Sequence, residues 1–127
     1  MKAVVFVALG GCLGALSRWG LAYWVDRLRP PTLSFPLGIL IANILGCFLF
    51  GLLFGLGENR AWMSNAVRLA LFTGFLGSFT TFSTFSWNTM QLLKNGEVGP
   101  ALANVLLSVF LGLAGVWAGY QLVVAKA

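Results

Sequence analysis

The chain has 127 residues, of which 59% are hydrophobic and only 9% are charged, with a net charge of +5 and no histidine. Its mean hydropathy is +0.91, whereas about 25% of the residues in a soluble domain are charged. These values indicate a membrane protein. The basic residues are dispersed along the chain, which argues against a nucleic-acid partner and favours contacts with lipid headgroups.

Four apolar segments are each long enough to cross a bilayer, which takes roughly 20 residues in a helix. They cover approximately residues 3–25, 36–57, 66–93 and 100–124. The connecting segments are short and hold the charged and turn-forming residues. The sequence therefore predicts an all-α integral membrane protein, with residues 1–127 forming a single domain of four transmembrane helices.

Small residues in these spans predict close helix packing. Glycines four residues apart let two helix backbones approach each other, and three spans carry such a pair: Gly10 and Gly14, Gly51 and Gly55, and Gly115 and Gly119. Cys12 and Cys47 also fall within spans. We interpret both cysteines as small packing residues and predict no disulfide between them.

Basic residues are divided evenly between the two ends of the predicted bundle. The side that holds both termini has four and the opposite side has four: Lys2, Arg60, Arg68 and Lys126 against Arg18, Arg27, Arg29 and Lys94. Orientation normally follows an excess of Lys and Arg on the cytoplasmic side. Unless a few positions dominate, the balance predicts dual topology, with oppositely inserted copies pairing as an antiparallel homodimer. Such a dimer would have the inverted symmetry found within many transporters.

The ionisable residues form no catalytic set. Asp26, Glu58 and Glu97 are the only acids and lie at the ends of spans or between them. Without a histidine, no general base is available to activate a serine, so we predict that the protein is not an enzyme. A small multidrug exporter is one alternative, but it would need an ionisable group within a span. A membrane assembly subunit without transport activity is the other.

Polar residues concentrate in the third span. Residues 77–86 read Gly-Ser-Phe-Thr-Thr-Phe-Ser-Thr-Phe-Ser, at a depth where hydroxyl groups are costly unless they are satisfied or line a wet path. Hydroxyls in membrane helices can bond to carbonyls one turn earlier, but this does not explain Gly74 and Gly77. We predict that the helix opens between about Gly77 and Thr80, where freed carbonyls could bind a cation.

A path beside this segment would suit an anion. The Asn43 amide in the second span and the third-span hydroxyls can donate hydrogen bonds, and a phenyl ring is electropositive at its edge. Considered alone, Asn43 is more simply explained as a hydrogen-bonding contact between helices. The same explanation covers Asn104 and Ser108, which lie four residues apart on one face of the fourth span.

Three motifs closely resemble those of the Fluc (CrcB) fluoride channels. Residues 73–86, Thr-Gly-Phe-Leu-Gly-Ser-Phe-Thr-Thr-Phe-Ser-Thr-Phe-Ser, resemble the third-span signature of that family. Residues 38–43, Gly-Ile-Leu-Ile-Ala-Asn, and residues 14–19, Gly-Ala-Leu-Ser-Arg-Trp, resemble its second-span and first-span motifs. The resemblance covers essentially the whole chain. It implies a passive channel that exports cytoplasmic fluoride across a bacterial inner membrane, confers fluoride resistance, and is an antiparallel dual-topology homodimer with two pores.

The resemblance also implies roles for individual residues along the pore. Asn43 would line each pore, while Phe82 and Phe85 would present their ring edges to fluoride. Further polar residues would bind fluoride beside those rings or continue the path on the fourth span: Ser83, Thr84 and Ser108.

A structural sodium ion is implied as well. The backbone carbonyls of Gly77 and Thr80 would hold this Na⁺ at the dimer interface, where two broken third helices cross, and Arg18 would lie near an aqueous vestibule. Two positions depart from the pattern of the family. Asn88 stands where many members have glutamate, and Gly112 stands where many have a second serine on the fourth span. We therefore expect a shorter polar track on that span.

Overall fold

The computed structural model describes residues 1–30, 32–58 and 62–125, and this part of the chain contains helices and no strand. The first two helices are α1, Lys2–Leu28, and α2, Leu37–Gly57. The third pass consists of α3, Asn65–Arg68, a π-helical segment, Leu69–Leu76, α4, Gly77–Phe79, and α5, Phe82–Lys94. The last helix is α6, Val98–Val124.

The architecture confirms the prediction of an all-α, multi-pass membrane protein. Within the described residues, α1, α2 and α6 are continuous helices that are long and apolar enough to span a bilayer. Their bounds extend the first predicted span by a few residues at its C-terminal end and differ little from the second and fourth. The third pass is also helical along most of its length but is assembled from shorter pieces.

Glycines bring α1 into close contact with the third pass. A Cβ atom at Gly10 would overlap the carbonyl oxygen of Ala70, and a Cβ atom at Gly14 would overlap that of Phe75. Because any side chain would collide with main-chain atoms here, the backbones of α1 and the π-helical segment can approach only at glycine. This confirms the close packing predicted for the first glycine pair.

Glycines also allow the backbones of α2 and α6 to approach each other closely. A Cβ atom at Gly51 would overlap the carbonyl oxygen of Val116, and one at Gly119 would overlap that of Phe48. The bundle therefore consists of two tightly packed helix pairs, α1 with the π-helical segment and α2 with α6, and α1 also packs against α2.

The π-helical segment widens the third pass just before its break. The N–H of Gly77 donates to the carbonyl of Phe72, five residues earlier, as in a π turn. Such turns are rare and occur frequently at functional sites. The sequence analysis did not predict this segment, because its apolar residues would suit an ordinary α-helix equally well.

The third pass breaks at two threonines. Thr80, with φ −90° and ψ 144°, and Thr81, with φ −143° and ψ 118°, are both extended. β-Branched residues favour this conformation, and Thr81 caps α5 by accepting the N–H of Thr84 on its Oγ1 atom at 3.5 Å. The predicted break is confirmed, although the extended residues lie at the C-terminal edge of the stretch from Gly77 to Thr80 and one residue beyond it.

Candidate functional site

The side-chain amide of Asn43 binds the backbone of the break. Its Oδ1 atom accepts the N–H of Thr81 at 2.9 Å, and its Nδ2 atom donates to the Thr81 carbonyl oxygen at 3.4 Å. A carboxamide suits this position because it offers both a donor and an acceptor without carrying a charge. Asn43 therefore ties α2 to the interrupted helix and still has one Nδ2 hydrogen to donate.

The break in the third pass leaves backbone carbonyl groups without their helical hydrogen-bond donors. In a continuous helix the N–H groups of Thr81 and Thr84 would donate to the carbonyls of Gly77 and Thr80. Here these two N–H groups donate to Asn43 and to the Thr81 hydroxyl. Across the ranges that the structure describes, the Gly77 and Thr80 carbonyls accept no hydrogen bond from another backbone segment. They are therefore available as ligands for a cation.

Arg18 reaches the broken segment from α1. Its Nε atom donates to the carbonyl oxygen of Ser78 at 3.2 Å in a half-buried contact. The Ser78 carbonyl lost its helical partner at the break, so the guanidinium group satisfies an otherwise unpaired acceptor. Arg18 precedes Leu28, the last residue of α1, by about 15 Å at 1.5 Å per residue. The guanidinium group thus lies beside the break, well inside the helix end.

A cavity of about 250 Å³ opens beside the break. Its walls come from α2, the break, α5 and α6: Asn43, Cys47, Thr80, Thr81, Phe82, Phe85, Ser108 and Val109. The rings of Phe82 and Phe85 have centroids 5.5 Å apart and are tilted by 43°. Phe82 is 79% exposed, so the cavity is open on its side. No wall residue carries a formal charge.

Ser108 contributes a hydroxyl group with unused hydrogen-bonding capacity. Its Oγ atom is buried and has no hydrogen-bond partner in the described part of the chain. Buried hydroxyls are nearly always paired with protein or water. On the same face of α6, the Asn104 amide is paired, since its Nδ2 atom donates to the Thr89 hydroxyl at 2.9 Å. The Ser108 hydroxyl thus retains hydrogen-bonding capacity at a residue that lines the cavity.

Two of the six predicted pore residues do not belong to the cavity wall. Ser83 and Thr84 instead form a hydroxyl cluster at the start of α5, where their oxygens lie 3.2 Å and 3.3 Å from the Oγ1 atom of Thr81. Other hydroxyls bond to carbonyls one turn earlier, Thr80 to Leu76 and Ser86 to Phe82. The structure therefore gathers four of the predicted pore residues in one wall: Asn43, Phe82, Phe85 and Ser108.

The sequence analysis did not assign three wall residues to the site: Cys47, Thr81 and Val109. Cys47 was interpreted as a packing residue, yet its half-buried side chain lines the cavity. Its position four residues after Asn43 places it on the same face of α2, which was the available signal. Both Cys47 and Cys12 are free thiols, as the sequence predicts.

All three acids are engaged near the ends of helices. Asp26 accepts the backbone N–H of Gly38 at 3.2 Å. Glu58 accepts the hydroxyl of Tyr120 at 3.0 Å, and Glu97 accepts the hydroxyl of Ser34. None of these carboxylates lines the cavity. The cavity therefore lacks the carboxylate that a proton-coupled exporter would need within the membrane.

Comparison with known proteins gives consistent matches along most of the chain. Residues 5–120 match the model of the family described as CrcB-like protein, Camphor Resistance (CrcB). A relative from Symbiobacterium thermophilum, named fluoride-specific ion channel FluC 2, is 49% identical over 91% of this chain and 93% of its own length. The fluoride-specific ion channel FluC of Nitratidesulfovibrio vulgaris is 45% identical over 94% of both chains.

A relative from Geotalea uraniireducens, named fluoride-specific ion channel FluC, matches the entire length of this chain. It is 44% identical over 127 residues, which is 99% of its own length. The chain belongs to the CrcB-like family of membrane proteins, whose curated members named above are ion channels and not enzymes.

Proposed function

We propose that the protein is a passive, fluoride-selective channel that exports cytoplasmic fluoride across a bacterial inner membrane. The cavity beside the break carries this proposal, because it combines the remaining Asn43 hydrogen, the unpaired Ser108 hydroxyl and the rings of Phe82 and Phe85. Hydrogen-bond donors and ring edges attract a small anion. Without a formal charge in the wall, the ion is not held too strongly to leave.

Fluoride would shed its water for these donors and ring edges and then leave down its electrochemical gradient. In an acidic habitat neutral HF crosses the membrane and ionises in the more alkaline cytoplasm. The membrane potential, negative inside, then favours exit of the anion by about 2.3 kcal/mol per 100 mV. A channel is sufficient for this task, so no proton-coupling carboxylate is required. Arg18, beside the break, would keep the approach to the path positive.

We further propose that two copies form an antiparallel, dual-topology homodimer with two pores. The balanced Lys and Arg count supports opposite insertion of the copies. The cavity of a single chain is open, with Phe82 projecting from it. A second copy could close it, and each pore would then draw rings from both subunits.

A structural Na⁺ at the dimer interface is part of the proposal. The unpaired carbonyls of Gly77 and Thr80 fit a hard cation, because unwound helix carbonyls coordinate Na⁺ in other transport proteins. Two copies would supply two carbonyls each. When bound, the ion would supply positive charge that holds the two broken helices together.

Fluoride efflux from liposomes containing the purified protein tests the function. We expect fast efflux of fluoride and no efflux of chloride, with the fluoride rate falling at least about tenfold in Phe82→Ile because the ring edge is lost. Phe110→Ile is the matched control, since Phe110 is an exposed ring on α6 that lies outside the cavity. Replacement of Na⁺ by N-methylglucamine should also slow fluoride efflux.

The outcome also separates the alternatives. If folded, dimeric protein releases no fluoride, the assembly-subunit alternative is correct. If Phe82→Ile changes stability without changing fluoride efflux, Phe82 is not part of the pore. If chloride leaves the liposomes as fast as fluoride, the proposed selectivity for fluoride is wrong. Proton-driven movement of organic cations would instead identify an exporter.

A further inference from the structure

Cys47 lies one helical turn beyond Asn43 on α2, about 6 Å further along the axis. Its counterpart on α6 is Gly112, which follows Ser108 by one turn. A Cβ atom at Gly112 would lie 3.5 Å from the Cys47 Sγ atom. The two helices therefore face each other at two levels, Asn43 with Ser108 and Cys47 with Gly112.

Of the two residues that face each other at the second level, Cys47 carries a functional group and Gly112 does not. Gly112 has no side chain, and the distance from its position to the Cys47 sulfur is an ordinary van der Waals contact. Cys47 is half-buried, and its side chain lines the same cavity as Asn43 and Ser108. The cavity therefore continues from the level of the amide to the level of the thiol.

Unpaired polar groups show that this cavity suits a polar occupant. The Ser108 Oγ atom is fully buried and has no partner among the described residues, and Asn43 retains one hydrogen after binding Thr81. A groove built only for a lipid chain would not place such groups in its wall. The Cys47 thiol thus borders the space in which these groups would bind an ion or water.

We propose that Cys47 lines the fluoride path one turn beyond Asn43, where its thiol forms a site for small thiol-reactive ligands that block conduction. The inference rests on the proposed channel function. It adds a wall residue at the level where Gly112 leaves the path without a hydroxyl. A group attached to the sulfur would extend into the cavity that the Cys47 side chain lines.

Methyl methanethiosulfonate, a small neutral reagent, tests the proposal in liposomes. The Cys47 thiolate attacks the sulfenyl sulfur, a mixed disulfide carrying S–CH₃ forms, methanesulfinate leaves, and the thiol proton goes to buffer. Each protein is compared with its own untreated sample. Treated wild type and Cys12→Ser should lose fluoride efflux at least about tenfold, since a methylthio group narrows a path that admits one dehydrated ion. Treated Cys47→Ser should change less than about twofold.

Mass spectrometry of the treated protein reports the modification independently of conduction. Labelled Cys47 with blocked efflux, reversed by a reducing agent, supports the proposal. Labelled Cys47 with unchanged efflux, a Cys47 that stays unlabelled, or equal inhibition of Cys47→Ser overturns it. Absence of efflux from the untreated wild type would instead count against the channel function itself, and labelling of Cys47 would still show whether the thiol is accessible.

Discussion

Asn43 combines two tasks in one side chain. Both bonds that it makes to Thr81 satisfy backbone groups that the break exposes, and the same amide forms part of the cavity wall. A buried N–H without a partner costs roughly 1–3 kcal/mol. Substitution at Asn43 should therefore disturb the shape of the third pass as well as the wall of the cavity.

Asn43→Asp should separate these tasks. A carboxylate can still accept the Thr81 N–H but cannot donate to the Thr81 carbonyl, and it adds negative charge beside the cavity. We expect fluoride efflux to fall at least about 100-fold, since a fixed negative charge repels an anion at close range. Fluoride efflux, together with the thermal stability of the purified protein, measures the effect.

Asn104→Ser is the control for this prediction, because it removes the buried amide bond to Thr89 away from the cavity. We expect lower stability in this variant, with fluoride efflux within about threefold of wild type because no new charge enters the path. Comparable efflux in Asn43→Asp and wild type would contradict the role given to Asn43.

At the scale of the element, the sequence predicted the break of the third pass but not its details. Glycines before a run of hydroxyls indicated that the helix would open near Gly77, because such residues support non-helical backbone. The extended pair, Thr80 and Thr81, could not be located from that pattern alone. The sequence gives no sign of the π-helical segment, because a short run of apolar residues fits the spacing of an α-helix and of a π-helix equally well.

The predicted pore residues show a similar division between what the sequence indicated and what it did not. Phe82 and Phe85 are three residues apart and so share one face of a helix, and in the structure their ring centroids lie 5.5 Å apart. The same reasoning did not exclude Ser83 and Thr84 from the wall. Their hydroxyls turn to the Thr81 cap, and this choice depends on where the helix restarts. Cys47 was missed because a free cysteine usually behaves as a small hydrophobic packing residue.

Close packing of α1 on the third pass predicts a contrast between two glycines of the same helix. Gly14→Ala should be strongly destabilising, because its Cβ atom would overlap the Phe75 carbonyl. Gly20→Ala should be neutral or stabilising by up to about 1 kcal/mol, because alanine favours helix and nothing lies within 4 Å of that position. Thermal unfolding of the two purified variants measures the difference, and equal melting temperatures would contradict this packing.

At the scale of the whole molecule, the distribution of charge governs how copies insert. Counted by the sequence, the two ends have four basic residues each. The structure places Arg18 beside the Ser78 carbonyl, inside the bundle, which leaves three basic residues at the ends of helices on that side. The remaining difference is a single charge, so small changes should be enough to bias orientation.

Paired variants test dual topology. Lys2→Gln/Arg68→Gln removes basic residues from one end of the bundle, and Arg27→Gln/Lys94→Gln removes them from the other. We expect each variant alone to insert mainly one way and to give at least about tenfold less fluoride efflux, because orientation follows the Lys and Arg bias. Coexpression of the two should restore efflux, since oppositely oriented copies can pair again. Full activity of each variant alone would contradict an antiparallel dimer.

The break has a further consequence for the range of conditions in which the site can work. By interrupting one helix, the chain exposes N–H donors at the start of α5 and carbonyl acceptors at the end of α4, so partial charges of both signs arise without ionised side chains. The Asn43 amide, the Ser108 hydroxyl and these peptide groups neither gain nor lose a proton near neutral pH. When acid stress loads the cell with HF, the hydrogen-bonding character of the site therefore stays the same as the cytoplasm acidifies.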